Sequence, residues 1–294
     1  MQGLLLLNKP KGITSFSAVS KIKWLAQEKR VGHTGTLDPL ATGVLPIFIG
    51  KATALSGILL DADKGYTATV KLGISTDTCD ITGEVLSEKE VNITEEMLKE
   101  ALNKFWGKIS QVPPIYSALK KDGVRLYQLA REGKSVEIEP REVEIKTLNL
   151  LEFSGDTFKI EVVCSKGTYI RSLCRDIGKE LSCGATMTDL IRTSTSGFSL
   201  ENTVSLDELT RENIENYILP EETALTYLKE VKVTEKQAIR FSNGGQLSYE
   251  RLKNANFEEN ELLRVKFGDK FLGVGIADNE NSQIAIKCVI NQYK

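Results

Sequence analysis

Between Gly32 and Gly43 the chain reads Gly-His-Thr-Gly-Thr-Leu-Asp-Pro-Leu-Ala-Thr-Gly, and a single carboxylate, Asp38, stands in it. Glycines and a proline break this stretch too often for a long helix or a single strand. A carboxylate displayed on such a loop can act as a nucleophile or a general base. An aspartate before Pro39 also forms turns readily, but that explains one Asp-Pro pair and not the glycine-rich frame around it. His33 and Asp38 do not complete a serine-hydrolase triad, because no Gly-x-Ser-x-Gly elbow occurs.

Other chemistries fail on spacing. Gly43 to Lys51 looks like a phosphate loop, yet six residues separate Gly43 from Gly50 and Ala52 stands where a hydroxyl is needed. Gly273 and Gly275 lack the third glycine of a dinucleotide fingerprint. The single histidine, His33, excludes His-rich zinc sites. The five cysteines contain no Cys-x-x-Cys and are odd in number, so they read as reduced thiols of a cytosolic protein. Neither a cofactor nor a metal is expected.

Charge is balanced overall and uneven locally. Thirty-eight bases against 40 acids give −2, which excludes a globally basic nucleic-acid binder. Residues 1–60 carry seven bases and two acids, and residues 104–134 carry the same, so each block stands at +5. Residues 201–230 carry eight acids and two bases. Two basic blocks on a neutral chain fit either a local polyanion site or two solvated faces.

Further motifs run along nearly the whole chain in order: Asn8-Lys9-Pro10-x-Gly12-x-Thr14-Ser15, the Asp38 loop, Lys64-x-Tyr66, Gln111-x-Pro113-Pro114-x-Tyr116-Ser117-Ala118-x-Lys120, Leu126-Tyr127-x-Leu129-Ala130-Arg131-x-Gly133, Ser165 to Leu173, and Leu190-x-Arg192-Thr193. Together they resemble the bacterial tRNA pseudouridine synthases of the TruB family. One departure is Ile191, where related sequences often carry a second arginine before Arg192. The resemblance implies isomerisation of the T-loop uridine numbered 55. It implies an α+β fold with a mixed, mainly antiparallel sheet and flanking helices. A catalytic domain over 1–228, with a thumb-like RNA-binding insertion at about 108–143, would precede a small β-rich PUA-like domain at 229–294. It places Asp38, Tyr66 and Arg171 in catalysis, and Lys9, His33, Leu190, Lys120, Lys121, Arg125 and Arg192 on substrate or RNA. The implied partner is the T-arm of tRNA, met by a cytoplasmic monomer with no membrane and no obligate protein partner. Pseudouridylation involves no redox step and so needs no cofactor. A non-catalytic RNA-binding or RNA-folding protein is the alternative; the joint presence of Asp38, Tyr66 and Arg171 favours the enzyme.

Positioning these residues requires regular elements around them. Gly3–Asn8 reads as a short buried strand, followed by a turn at 8–12. Ser15 is expected to cap a helix to about Gln27 with Phe16, Val19, Ile22 and Ala26 on one face. Val44–Ile49, Tyr66–Leu72 and Phe158–Ser165 read as strands, and Thr94 caps a helix to about Phe105. A helix is expected at Val124–Arg131, and another from a Thr168 cap to about Leu181. Arg171 then sits in a first helical turn, where the dipole disfavours a cation, and this points to a specific anionic partner. Thr234-x-x-Gln237 makes a capping box, and strands follow at 262–267, 271–277 and 284–289. No run approaches the ~18 apolar residues of a membrane span. The N-terminus lacks the pattern of a signal peptide.

Lys120, Lys121 and Arg125 lie in the second basic block. Neutralising all three should weaken tRNA binding and flatten its salt dependence, because fewer counterions are released. An unchanged slope of log K against log salt would mark the block as a solvated face.

Overall fold

The first strand explains itself. β1 (Gly3–Lys9) contains four consecutive leucines, and all four are buried. Side chains alternate along a strand, so an unbroken apolar run requires cover on both faces. Leu5 and Leu7 face α1 (Ser15–Ala26), while Leu4 and Leu6 face the C-terminal part of the chain. The computed structural model describes all residues except 118, 122, 132–135, 254 and 294; for 120, 121, 125, 127, 130 and 131 it describes the backbone alone.

The order after α1 is β2 (Val31–His33), β3 (Thr42–Ile49), the short α2 (Ser56–Leu59), β4 (Lys64–Leu72), the hairpin β5 (Ile74–Thr76) and β6 (Val85–Glu88), α3 (Glu95–Asn103) and β7 (Gly107–Gln111). Then come a small hairpin, β8 (Lys120–Lys121) and β9 (Val124–Arg125), with α4 (Leu126–Arg131). The long strands β10 (Arg141–Ser154) and β11 (Thr157–Cys164), helix α5 (Ile170–Glu180) and β12 (Ala185–Thr195) follow. Three two-residue strands, β13 (Phe198–Ser199), β14 (Val204–Ser205) and β15 (Ile218–Leu219), close the larger unit. Its sheet runs β14-β1-β3-β12-β4-β11-β10-β7 and is mixed: most pairs are antiparallel, but β12 meets β3 and β1 meets β14 in parallel. Helices α3 and α5 cover β4, β11 and β12 through Leu98, Leu102, Leu173 and Ile177.

A second sheet begins with β16 (Lys229–Lys232) and continues through α6 (Glu235–Ser242), β17 (Leu247–Ser248), β18 (Leu262–Phe267), β19 (Lys270–Asp278) and β20 (Gln283–Val289). Its order is β16-β18-β19-β20-β17, and it has its own core around Phe241, Leu263, Val265 and Ile284. The Thr234 and Gln237 capping box is present at the start of α6. The architecture is α+β.

Several local expectations need correction. Thr14, not Ser15, caps α1: its hydroxyl accepts from the Ser17 amide at 2.9 Å. Phe16 is 73% exposed, because the buried stripe runs through Ala18, Val19, Ile22 and Leu25. Thr168 does not cap α5; its hydroxyl donates to Ser165 O. The Gln111 amide does that work from β7, accepting from Tyr169 N at 2.8 Å and donating to Tyr169 O at 3.1 Å. The expected insertion at 108–143 is shorter, since Gly107–Gln111 pairs with Arg141–Ile145 inside the sheet. The excursion therefore spans 112–140.

The two sheets share a core. Leu4, Leu6, Phe48, Leu55 and Leu59 join one cluster with Phe271, Val274 and Ile290. Phe271→Ala should therefore lower stability of the whole chain by about 3 kcal/mol, measured by urea unfolding. An unchanged unfolding midpoint for the larger unit would show that the shared cluster contributes nothing to it.

Candidate active site

Asp38 is placed by three separate anchors. The strands flanking its loop pair with each other, His33 opposite Ile47. Ser15 Oγ accepts from Leu37 N at 2.8 Å and donates to Leu37 O at 3.1 Å, which fixes the neighbouring residue. Gly12 N donates to Pro39 O at 2.8 Å on the other side. The carboxylate then meets Arg171: Oδ2 lies 2.8 Å from Nε, and Oδ1 accepts from Nη2 at 3.3 Å.

Arg171 is the second residue of α5, and its side chain is 6% exposed. Nη1 donates to Thr78 O at 3.0 Å and Nη2 to Tyr116 O at 2.9 Å. A second carboxylate, Asp80, lies 3.8 Å from Nε. Asp80 in turn accepts from the Thr82 amide at 3.0 Å and the Thr78 hydroxyl at 3.0 Å. A buried guanidinium stays charged, so it needs anions and acceptors in this number. Asp38 differs from Asp80 in one respect that matters for chemistry: its side chain remains 34% exposed, against 7%.

Tyr66 comes from the middle strand β4 and packs in the same cluster as Leu37, Leu40 and Leu190. Leu190 is buried on β12, opposite Ala68 of β4. Tyr66 and Leu190 thus share a buried apolar cluster with Leu37, the residue just before Asp38.

Comparison with known proteins places this arrangement. Residues 23–170 match the model of the TruB family pseudouridylate synthase N-terminal domain, and residues 171–229 match the tRNA pseudouridylate synthase B C-terminal domain. A tRNA pseudouridine synthase B of Clostridium novyi (strain NT) is 47% identical over 97% of this chain and 98% of its own length. This chain belongs to the TruB family of pseudouridylate synthases. The tRNA pseudouridine synthase B of Pseudomonas fluorescens (strain Pf0-1) is 43% identical over 99% of this chain and 96% of its own. Among solved structures, a chain in a Cbf5-Nop10-Gar1 complex superposes with a TM-score of 0.77 at 26% identity, covering 99% of this chain and 85% of that one.

In this TruB-family chain the residues read from sequence fall into three groups. Asp38 and Arg171 are paired, and Tyr66 and Leu190 lie in the buried cluster that includes the neighbouring Leu37. His33 lies on β2, half-buried, and Gly35 N donates to its Nδ1 at 3.2 Å. That bond uses Nδ1 as an acceptor, and burial with the nearby Arg192 charge lowers the imidazole's proton affinity. Lys9 and Arg192 are buried rather than solvent-facing. Lys9 is fully buried and donates to Pro10 O and Ile13 O, each at 2.8 Å. Burial depresses its ammonium to about 8. Arg192 is 1% exposed. The side chains of Lys120, Lys121 and Arg125 lie outside the described residues. Sequence reasoning missed Asp80. The signal was available in Thr76 to Gly83, a run of Thr and Asp closed by a glycine at which a Cβ would sit 2.2 Å from Asp77 Oδ1.

Burial pushes the Asp38 carboxyl above its ordinary value, and Arg171 opposes that while Asp80 reinforces it. A carboxyl with a raised folded-state pKa binds its proton more tightly folded than unfolded. Its contribution to stability is therefore complete below the ordinary Asp range near ~3.9 and is lost as pH rises through the raised value. Asp38→Asn should then gain melting temperature relative to the native chain more at pH 7 than at pH 3.5. The opposite trend would show that Arg171 outweighs burial.

Proposed function

We propose that this chain converts uridine 55 in the T loop of tRNA to pseudouridine, with Asp38 as the catalytic carboxylate. One observation carries the reading: in a TruB-family chain, the Asp38 carboxylate sits in the Arg171 fork and is still a third exposed. The names of the curated relatives support tRNA as substrate.

The reaction breaks the N1–C1′ bond, turns the uracil and joins C5 to C1′. A carboxylate beside the sugar is required as nucleophile or base, and Arg171 favours its charged form against the pull of burial. The uridine is stacked in a folded loop, so it must be flipped into the site. His33, at the start of the Asp38 loop, fills the vacated stack or packs on the neighbouring bases. Tyr66 stacks on the uracil and takes part in removing the C5 proton. Leu190 closes the pocket apolarly. The excursion at 112–140 acts as the thumb that holds the T-arm through phosphates, and the second sheet serves as a PUA-like RNA-binding unit. The enzyme works as a cytoplasmic monomer on tRNA without a protein partner. Among the described residues no helix is long and apolar enough to cross a membrane.

Asn preserves the size and turn preference of Asp but cannot attack or accept a proton as a carboxylate. Asp38→Asn should fold, bind tRNA, and lose at least ~10²-fold in pseudouridine formation, read as tritium release from uridine C5. Near-native turnover by this variant would remove Asp38 from the mechanism.

A further inference from the structure

Arg192 is the largest fully buried side chain of the molecule, and its position is unusual for a cation. It stands directly opposite Tyr66 in the β12–β4 ladder, which slips by a residue just beyond it. Its Nε donates to Val44 O at 2.8 Å and its Nη2 to Gly35 O at 3.2 Å. Cross-strand partners in an antiparallel ladder share a face, so the guanidinium and the Tyr66 phenol lie on the same side of the sheet, close enough to couple electrostatically. Among the described residues no carboxylate lies within ion-pair distance of it. Its neighbours add to the imbalance: Lys9, His33 and Lys64 all lose proton affinity partly because of its charge.

An arginine cannot shed its proton to escape burial. A buried guanidinium with two carbonyls, one phenol and no anion is therefore short of negative charge. The phenol of its cross-strand partner Tyr66 can supply that charge by ionising.

We propose that Arg192 is a positioning residue for Tyr66, holding the phenol and stabilising the phenolate that removes the C5 proton. The proposal rests on the reading of Tyr66 given above. Once C5 is joined to C1′, the C5–H bond breaks and its electron pair forms C5=C6. The C6=N1 pair moves to N1, which takes a proton from water. The Tyr66 oxygen receives the C5 proton and returns it to water, so the balance closes. The titratable and charged groups facing the phenol are Arg192 on β12, the Cys164 thiol on β11 and Asp38 on its loop; Lys9, His33 and Lys64 lie around Arg192. Burial, Cys164 and Asp38 all resist ionisation of the phenol, and Arg192 works against them.

The test uses the full chain with Arg192→Lys, Arg192→Gln, Tyr66→Phe and the Tyr66→Phe/Arg192→Lys double variant. Single-turnover tritium release from tRNA is followed against pH, and the Tyr66 phenol is titrated by NMR of ring-labelled tyrosine. Arg192→Lys keeps a cation and guards against loss of folding. It should slow release about tenfold at pH 7, move the rising limb up by about one pH unit, and move the phenol titration with it. Arg192→Gln should move both further. In the Tyr66→Phe background, Arg192→Lys should add no further loss. A limb and a phenol titration that stay in place in folded Arg192→Lys, with Tyr66→Phe still slow, would overturn the proposal and leave the Tyr66 reading intact. Native release by Tyr66→Phe would overturn both.

Discussion

Arg171 is an ion with almost no access to water, and its demand for partners organises the site. Its fork is met by Asp38 from one loop, Thr78 O from the β5–β6 turn, Tyr116 O from the start of the excursion, and Asp80 at 3.8 Å. These four partners come from three different segments, so each segment must be correctly placed for the charge to be satisfied. The start of α5 is fixed in turn by Gln111 of β7. Loss of one partner leaves a charge buried without compensation, which is among the larger single penalties in a fold. The catalytic geometry and the folding of this region are thus one constraint.

The part of this that could be read from sequence was the part where local rules conflict. A cation in a first helical turn opposes the dipole, and Arg171 does have the anionic partner that this conflict pointed to. Asp38 stood out because its loop has too many glycines to be mere connection. The burial of Lys9 and Arg192 was not legible, for the opposite reason. Charged residues are expected at the surface, and their burial depends on β1 and β12 lying inside the sheet beside β3. No local pattern declares that. β12 itself, Ala-Thr-Met-Thr-Asp-Leu-Ile-Arg-Thr-Ser-Thr, is too polar to read as a central strand. It lies between β3 and β4 and buries Thr186, Arg192 and Thr195. Phe16 was misplaced because a large apolar residue one position off the buried stripe looks like part of it.

The four leucines of β1 were legible as a buried strand but not as a joint between two sheets. Strand alternation sends Leu5 and Leu7 to α1 and Leu4 and Leu6 to the cluster containing Phe271 and Ile290. The C-terminal sheet therefore covers apolar surface that the larger unit would otherwise expose. Polar contacts cross the same joint, with Gln2 Nε2 donating to Asn291 Oδ1 at 2.9 Å. The second sheet is thus held in orientation by a core shared with the larger unit rather than by a linker.

Two buried arginines divide the electrostatic work beside Asp38. Arg171 has two carboxylates close by and is more than balanced. Arg192 has none among the described residues and is left positive, with Lys9, His33 and Lys64 held at reduced proton affinity around it. The negative surplus lies at Asp38 and Asp80, and the positive surplus lies beneath Tyr66. Such a separation is unfavourable in the resting protein, because charges kept apart from their partners forgo solvation without full compensation. It becomes useful when a reaction needs an ionised carboxylate at one point and a transient oxyanion at another. In a water-poor site, fixed charges aimed at those two points need no reorganisation during turnover. The stability forgone in the resting fold and the chemistry available to it then have the same physical origin.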